Sequence, residues 1–252
     1  MIFDTHAHLD NPEFDIDRDE LISQIHASGV TNIMNIGADM KTSAASVKLA
    51  NDYDFIYASV GVHPSEVHGM TNENLDELIK MAENPKVKAI GEIGLDYHYE
   101  NIEKSEQKEW FIRQLELAKS IDMPVIIHDR DSSGDCLKIL KEQKISDGVM
   151  HCFSGSAETA KNLVDMGFMI SFTGVLTFKN AKRAVMACRE IPLSRLMIET
   201  DCPYMSPEPH RGVRNHSGYV IHVAQKMAEL KGVSLEEICE ITDKNAKRFY
   251  RI

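Results

Sequence analysis

The sequence predicts a (β/α)8 barrel of the TIM type, an α/β fold, and three observations support this prediction. Short β-branched runs alternate with amphipathic helical patterns along the whole chain, at a period of about 30 residues. The β-branched runs are apolar nearly throughout, as is typical of parallel strands that are buried on both faces. The length of 252 residues suits one such barrel, so residues 1–252 are predicted to form a single domain.

The β-branched runs predict eight strands. They are Met1–Asp4, Asn32–Asn35, Phe55–Val60, Val87–Glu92, Val125–His128, Gly148–His151, Phe168–Phe172 and Arg195–Glu199. An open doubly wound sheet is the alternative, but that fold normally carries a glycine-rich phosphate loop after its first strand. The segment His6-Ala7-His8 stands in that place here, and the closed barrel is therefore favoured.

Helical signals fill the intervals between the strands. Leu21, Ile22 and Ile25 form one apolar stripe, which Gly29 is expected to end as a C-terminal cap. Near the end of the chain, the segment from Ser234 to Glu237 has the pattern of a capping box that opens a final helix.

Composition limits the class of protein. The formal net charge of −11 argues against a general nucleic-acid coat protein, although it does not exclude an enzyme that acts on nucleic acid. The five cysteines lack any C-x-x-C spacing, which favours a reducing compartment. The sequence contains no secretory signal pattern and no apolar run of about 18 residues, so a cytoplasmic protein that does not enter membranes is expected.

Two histidines stand one residue apart where the first strand ends. Alternate residues of an extended segment point the same way, so His6 and His8 can aim their imidazoles at one point. Neutral imidazole is a common metal ligand, and two converging rings make half of a metal site. The alternative is a polar strand end whose histidines contact only water.

Further polar residues stand at the ends of later strands. In a parallel barrel all these ends meet at one face, where the catalytic residues of such enzymes lie. The residues concerned are His6, His8, His63, Glu92, His128, His151 and Asp201. Five of the 11 histidines of the chain are in this group, which favours a metal site over scattered surface histidines.

The set of candidate ligands exceeds what one ion needs, since a zinc-like ion takes about four ligands. Two ions about 3.5–4 Å apart could share a carboxylate, and Glu92 is the natural bridge. The first ion would then bind His6, His8, Asp201 and Glu92, and the second would bind Glu92, His128 and His151. A water held between the ions would have a lowered pKa and act as the nucleophile.

Ordered motifs along the whole chain resemble the TatD family of metal-dependent deoxyribonucleases, within the amidohydrolase superfamily. The matching segments are residues 4–9 (DTHAHL), 61–64 (GVHP), 91–97 (GEIGLDY), 124–128 (PVIIH), 151–155 (HCFSG), 199–204 (ETDCPY) and 211–215 (RGVRN). The family usually continues the last motif with Glu-Pro, whereas this chain has His216-Ser217.

The resemblance implies a TIM-type barrel whose metal ligands fall on the six residues assigned above. It also implies a hydrolase that cleaves DNA phosphodiester bonds from the 3′ end with divalent cations. The histidine-rich ligand set suits zinc, nickel or manganese, and the activity of the family points also to magnesium. A monomer without an obligate protein partner is expected.

The expected mechanism assigns a role to each group. Asp201 orients or deprotonates the attacking water, and Glu92 acts with it as a bridging carboxylate. Four residues are candidates for binding the substrate phosphate, namely His63, Arg130, Arg211 and Arg214. For the arginines the alternative is solvated loop charge, and for His63 it is a role in holding the turn of residues 61–64.

Two other functions remain open from the sequence. One is a binuclear hydrolase of a different ester or amide bond, for which a closed pocket would be expected in place of a groove lined with arginines. The other is a metal-binding protein without activity, which is disfavoured because a complete bridging set at a barrel mouth has little structural purpose.

Overall fold

A computed structural model describes residues 1–98 and 102–252 of the chain. The strands in these ranges are β1 Ile2–Ala7, β2 Val30–Ile36, β3 Ile56–Val60, β4 Val87–Asp96, β5 Val125–Arg130, β6 Gly148–Met150, β7 Met169–Phe172 and β8 Leu196–Ile198. The α-helices are α1 Arg18–Ala27, α2 Met40–Asp52, α3 Asn72–Ala82, α4 Lys104–Ser120, α5 Asp135–Glu142, α6 Ala157–Asp165, α7 Lys182–Glu190, α8 Val220–Lys231 and α9 Leu235–Tyr250.

The eight strands form one sheet in which the spatial order equals the chain order, from β1 to β8. After β8, the segment that follows returns to β1 through a parallel bridge between Ala7 and Cys202. The fold is therefore the predicted (β/α)8 barrel, and the open doubly wound sheet is excluded.

The chain divides into two compact units, which are described separately. The first unit comprises residues 1–35, 152–165 and 169–252, and the second comprises residues 36–151 and 166–168. The prediction of a single domain over residues 1–252 stays a prediction. Among the described residues, no helix is long and apolar enough to cross a membrane.

All eight predicted strands are present, but β1 and β4 extend further than expected. The prediction ended these strands at polar residues, whereas β1 continues through His6 and β4 continues to Asp96. Both polar side chains are buried, at 0% exposure for His6 and 2% for Asp96. In the sequence, a polar residue inside a strand looks like the end of that strand, so both strands were predicted too short.

Both predicted helices are present, with half of the predicted capping box and with Gly29 one residue beyond the C-cap. The side chain of Ser234 accepts a hydrogen bond from the backbone N of Glu237 at 3.1 Å, which caps the N-terminus of α9. Gly29 follows α1 with a positive φ of +104°, after the capping residue Ser28. Polar caps satisfy the free backbone groups at helix ends, and glycine allows the chain to turn there. Such residues therefore mark helix ends in a sequence.

Gly94 allows the close approach of β4 and β5. Its φ is +152°, and it pairs with His128 in the parallel ladder between these two strands. A Cβ atom at this position would lie 1.9 Å from the carbonyl oxygen of His128. Only glycine can therefore bring β4 this near to the backbone of His128.

Gly94→Ala is expected to destabilise the protein by about 3 kcal/mol or more in unfolding free energy, because β4 must move away from β5. The measurement is chemical denaturation. Gly29→Ala is the control, since φ is positive there too but no heavy atom lies within 4 Å of the added Cβ. It should cost only about 1–2 kcal/mol. Equal losses for the two variants would contradict the role of close approach.

Candidate metal centre

The second unit contains a cluster of one carboxylate and two imidazoles, which lie on β4, on β5 and directly after β6. The Oε1 atom of Glu92 lies 2.7 Å from the Nδ1 atom of His128 and 2.7 Å from the Nε2 atom of His151. The two ring nitrogens are 3.2 Å apart. Three potential ligand atoms therefore converge on one point, as the sequence predicted for these residues.

The donor chemistry of this cluster fits a metal ion. The other ring nitrogen of His128, Nε2, lies 3.1 Å from the Oδ2 atom of Asp96. A carboxylate that holds one nitrogen of a histidine while the other faces a metal is a common arrangement around zinc, because it orients the ring and raises its basicity. Asp96 thus supports His128 as a ligand.

The charge around His128 favours a cation at this place. Burial lowers the pKa of His128, but its hydrogen bonds to Asp96 and Glu92 outweigh that effect and raise the pKa above its ordinary value. Burial raises the pKa of Asp96, but its hydrogen bonds to His128 and to the backbone of His98, together with the charge of His128, outweigh burial and lower the pKa. Two buried carboxylates therefore stabilise positive charge at His128, as a proton or a metal ion.

His63 lies at the edge of the same cluster. Its Nε2 atom is 3.8 Å from the Oε1 atom of Glu92, and its ring centroid is 4.3 Å from that of His128. Potential ligand atoms of these three residues all lie within 4.8 Å of one another. Burial, followed by the nearby His128, lowers the pKa of His63 to about 3, so the ring is neutral at neutral pH. The sequence analysis expected His63 to bind substrate phosphate, and the structure places it beside two predicted metal ligands.

Two glutamines of α4 hold the loops that carry His63 and Asp96. Gln114 accepts a hydrogen bond from the backbone N of Val62 at 2.8 Å and donates one to its carbonyl oxygen at 3.0 Å. Gln107 makes the same pair of bonds with the backbone of Asp96, at 2.9 and 2.8 Å. Both amides are buried. They fix the backbone before His63 and at Asp96 without contacting the cluster itself.

No role was predicted from the sequence for either glutamine or for Asp96. A signal was present, since Gln107 and Gln114 are seven residues apart and lie on the same face of α4 as the buried Phe111 and Ala118. A polar residue within an apolar stripe must be hydrogen-bonded when the helix packs, because an unsatisfied amide in the core is costly.

The first unit contains a second cluster, formed by His6, His8 and Asp201. The Oδ1 atom of Asp201 lies 3.7 Å from the Nε2 atom of His6 and 3.5 Å from that of His8. Ligand bonds to zinc measure about 2.0–2.2 Å for nitrogen and oxygen, so two atoms that bind one ion lie about 3–4 Å apart. These separations suit a shared ion, and the three residues come together as predicted.

Backbone pairing brings these ligands together. The backbone N of Asp201 donates to the carbonyl oxygen of His6 at 2.8 Å, and the backbone N of His8 donates to that of Cys202 at 2.9 Å. These bonds continue the contact between the start of the sheet and the segment that follows β8. The position of Asp201 therefore depends on the closure of the barrel, which no local pattern encodes.

Buried polar groups lie beneath this second cluster. Asp4 accepts hydrogen bonds from the backbone N and the Oγ1 atom of Thr200, at 2.8 and 2.6 Å, and a further bond from the side chain of Ser217. Complete burial raises the pKa of Asp4 to about 7 in spite of these bonds. Glu199 accepts a hydrogen bond from the backbone N of Cys152 at 2.6 Å, which holds the residue next to His151.

His216-Ser217, which replaces the usual Glu-Pro of the family, has a structural role in this unit. The Nδ1 atom of His216 accepts a hydrogen bond from the backbone N of Gly218, and its ring centroid lies 3.9 Å from that of Tyr219. Burial lowers the pKa of His216 to about 4. Ser217 reaches the buried Asp4, so the altered pair supports the base of the first-unit cluster.

The three candidate arginines are engaged to different extents. Arg214 forms a double ion pair with Asp17 at 2.9 and 2.5 Å and lies 4.7 Å from the ring of Phe14. The guanidinium of Arg211 stacks 3.9 Å from the ring of Phe178, although the residue is exposed. Arg130 ends β5 and is exposed. The phosphate contacts expected of them stay predictions, and for Arg214 such a contact requires the ion pair with Asp17 to open.

Asp96→Asn is expected to weaken metal binding by about 10–100-fold, because an amide holds the Nε2 atom of His128 less well and no longer supports its positive charge. Titration of the metal-free protein with zinc measures the change. Asp165→Asn, at the exposed end of α6, is the matched control and should bind zinc normally. Unchanged zinc affinity in Asp96→Asn would remove Asp96 from the support of the site.

Similarity to known proteins extends over the whole chain. The model of the family described as TatD related DNase matches residues 3–251. The sequence is 47% identical over 254 positions to the uncharacterized metal-dependent hydrolase YabD of Bacillus subtilis, with 100% of both chains covered. It is 31% identical over 262 positions to the 3′-5′ ssDNA/RNA exonuclease TatD of Escherichia fergusonii, with 100% of this chain and 99% of that protein covered.

A solved structure agrees equally well. The crystal structure of YJJV, a TatD homolog from Escherichia coli K12, matches with a TM-score of 0.94 and 30% sequence identity, over 100% of this chain and 98% of that one. The resemblance inferred from the motifs is thus confirmed at the level of both sequence and fold. The chain belongs to the family of TatD-related DNases and is a metal-dependent hydrolase.

Proposed function

We propose that this protein is a metal-dependent deoxyribonuclease that removes nucleotides from the 3′ end of DNA by hydrolysing phosphodiester bonds. The observation that carries the proposal is the convergence of Glu92, His128 and His151, a donor set suited to a cation, in a chain of this family. The Escherichia fergusonii relative is named a 3′-5′ ssDNA/RNA exonuclease, which supports the choice of bond and direction.

In this proposal the protein binds two divalent cations, which are Mg²⁺, Mn²⁺ or Zn²⁺. Glu92, His128 and His151 bind one ion, and His6, His8 and Asp201 bind the other. When bound, such ions would lower the pKa of a bound water and offset negative charge on the phosphate oxygens.

The side chains of the protein perform the remaining tasks. Asp201 accepts the proton of the attacking water, since the carboxylate of a residue that also binds an ion can act as a general base. Asp96 keeps His128 in one orientation, and Arg130 and Arg211 are the exposed cations that can contact phosphate oxygens. We further propose that the enzyme acts as a monomer in the cytoplasm, in agreement with five cysteines that lack any C-x-x-C spacing.

Digestion of end-labelled DNA across a panel of metals tests the activity. We expect the metal-free protein to be inactive and Mg²⁺, Mn²⁺ or Zn²⁺ to restore stepwise loss of 3′-terminal nucleotides. Single-stranded and double-stranded substrates with the label at the 5′ end distinguish this from internal cleavage. The same assay with RNA tests the range of the substrate.

Some outcomes would contradict the proposal. Activity that resists chelation would indicate a contaminating nuclease. Inactivity on every nucleic acid, together with metal-dependent turnover of a small ester or amide, would favour the alternative hydrolase left open by the sequence.

Asp201→Asn is expected to lower kcat by about 10²–10⁴-fold, because the amide has nearly the same shape but cannot accept the proton. The fold should remain intact, and the ion at Glu92, His128 and His151 should be retained, as measured by circular dichroism and elemental analysis. Asp165→Asn, the surface control, should behave as the unmodified enzyme. A variant at Asp201 that keeps near-normal kcat with both ions bound would remove this residue from the mechanism.

A further inference from the structure

The two nitrogens of His63 have different partners, and this determines where the ring carries its proton. The backbone N of Ser65 lies 3.1 Å from the Nδ1 atom of His63 and donates a hydrogen bond to it. The Oγ atom of Ser65 lies 2.7 Å from the same nitrogen. A backbone N–H can only donate, so Nδ1 must offer a lone pair.

A neutral imidazole has one N–H group, and with Nδ1 occupied as an acceptor the proton is on Nε2. A protonated imidazole would donate from both nitrogens, so an Nδ1 atom that accepts a hydrogen bond also means an uncharged ring. His63 therefore presents one fixed N–H donor and no positive charge.

The Nε2 atom points toward the metal-ligand cluster but has no acceptor there. The nearest carboxylate oxygen among the described residues, Oε1 of Glu92, lies 3.8 Å away, which is too long for a hydrogen bond. The side chain keeps 14% of its surface exposed, so a bound molecule can reach it. The donor is thus directed at a space beside the cluster and not at the protein.

The backbone around His63 is held from both sides. Its own N donates to the carbonyl oxygen of Ala38 at 2.8 Å, and its carbonyl oxygen accepts from the backbone N of Glu66 at 2.8 Å. Gln114 clamps the preceding residue, Val62, through both its N and its carbonyl oxygen. A donor fixed in this way loses little entropy when it binds an anion, which is the property of an oxyanion site.

We propose that His63 donates its Nε2–H to an anionic oxygen of the substrate and does not bind a metal ion. If the proposed function holds, that oxygen is a non-bridging oxygen of the scissile phosphate. Ligation of a metal through Nε2 would move the proton to Nδ1, where it would face the N–H of Ser65 at 3.1 Å. The backbone N–H of Ser65 would then face a second donor in a partly buried place, which disfavours the ligand role even though the Ser65 hydroxyl could accept from Nδ1.

Nitrogen NMR of histidine-labelled protein tests the assignment without an activity assay. In both metal-free and cadmium-loaded protein, His63 should show a protonated Nε2 and an unprotonated Nδ1. The isotope ¹¹³Cd should show scalar coupling to the nitrogens of His128 and His151 but not to those of His63. Coupling of cadmium to the Nε2 atom of His63, or a proton on its Nδ1, would overturn the proposal.

Inorganic phosphate serves as the probe for anion binding. Added to zinc-loaded protein, it should shift the Nε2–H resonance of His63, and it should compete with substrate less well in His63→Leu. An unmoved resonance at saturating phosphate would count against the proposal. This result is independent of DNA cleavage. If phosphate shifts the Nε2–H resonance of His63 in a protein that is inactive on DNA, the proposed function is contradicted and the role of His63 stands.

Two substitutions separate a donor from a ligand. His63→Leu removes the donor and should lower kcat by about 10²–10³-fold with the metal content unchanged. His63→Gln keeps an N–H group near the same place and should recover at least about tenfold of that loss. A fall in bound metal that parallels the fall in kcat, or equal kcat values for the two variants, would contradict the donor role.

Discussion

The contact of Glu92 with two imidazole nitrogens is the constraint on which the second unit depends. A buried carboxylate at 2.7 Å from both His128 and His151 is tolerable only when positive charge lies among these atoms, because an uncompensated buried charge is costly. The surroundings meet this demand with Asp96 behind His128 and with Gly94, which admits the neighbouring backbone. These polar groups are therefore suited to hold a cation.

Most of the fold could be predicted, because strands buried on both faces of a barrel are continuous apolar runs and their order follows the chain. The grouping of the candidate ligands could be predicted for a related reason: in a parallel barrel all strand ends meet at one face, so residues at strand ends are expected to lie near one another. The boundaries were less accurate at β1 and β4, where His6 and Asp96 are polar residues inside strands. Hydrophobicity alone cannot distinguish such residues from loops.

The partners of the supporting residues could not be predicted, because they are distant in sequence or are backbone atoms. Thr200 meets Asp4 across 196 residues, and Gln114 meets the backbone of Val62 across 52. Arg214 looked like a free cation, yet it pairs with Asp17 across nearly the whole chain. An arginine in a loop has the same local pattern whether it faces solvent, a carboxylate or a substrate, and only the folded chain distinguishes these cases.

The side-chain amides of Gln107 and Gln114 connect α4 to two parts of the site. Each amide forms hydrogen bonds with both the backbone N and the carbonyl oxygen of one residue. Gln114 bonds to Val62, which follows β3, and Gln107 bonds to Asp96, the last residue of β4. A small rotation or slide of α4 must then displace His63 and Asp96 together. Substitutions on the outer face of this helix can thus change the positions of His63 and Asp96 together, without altering any residue of the cluster.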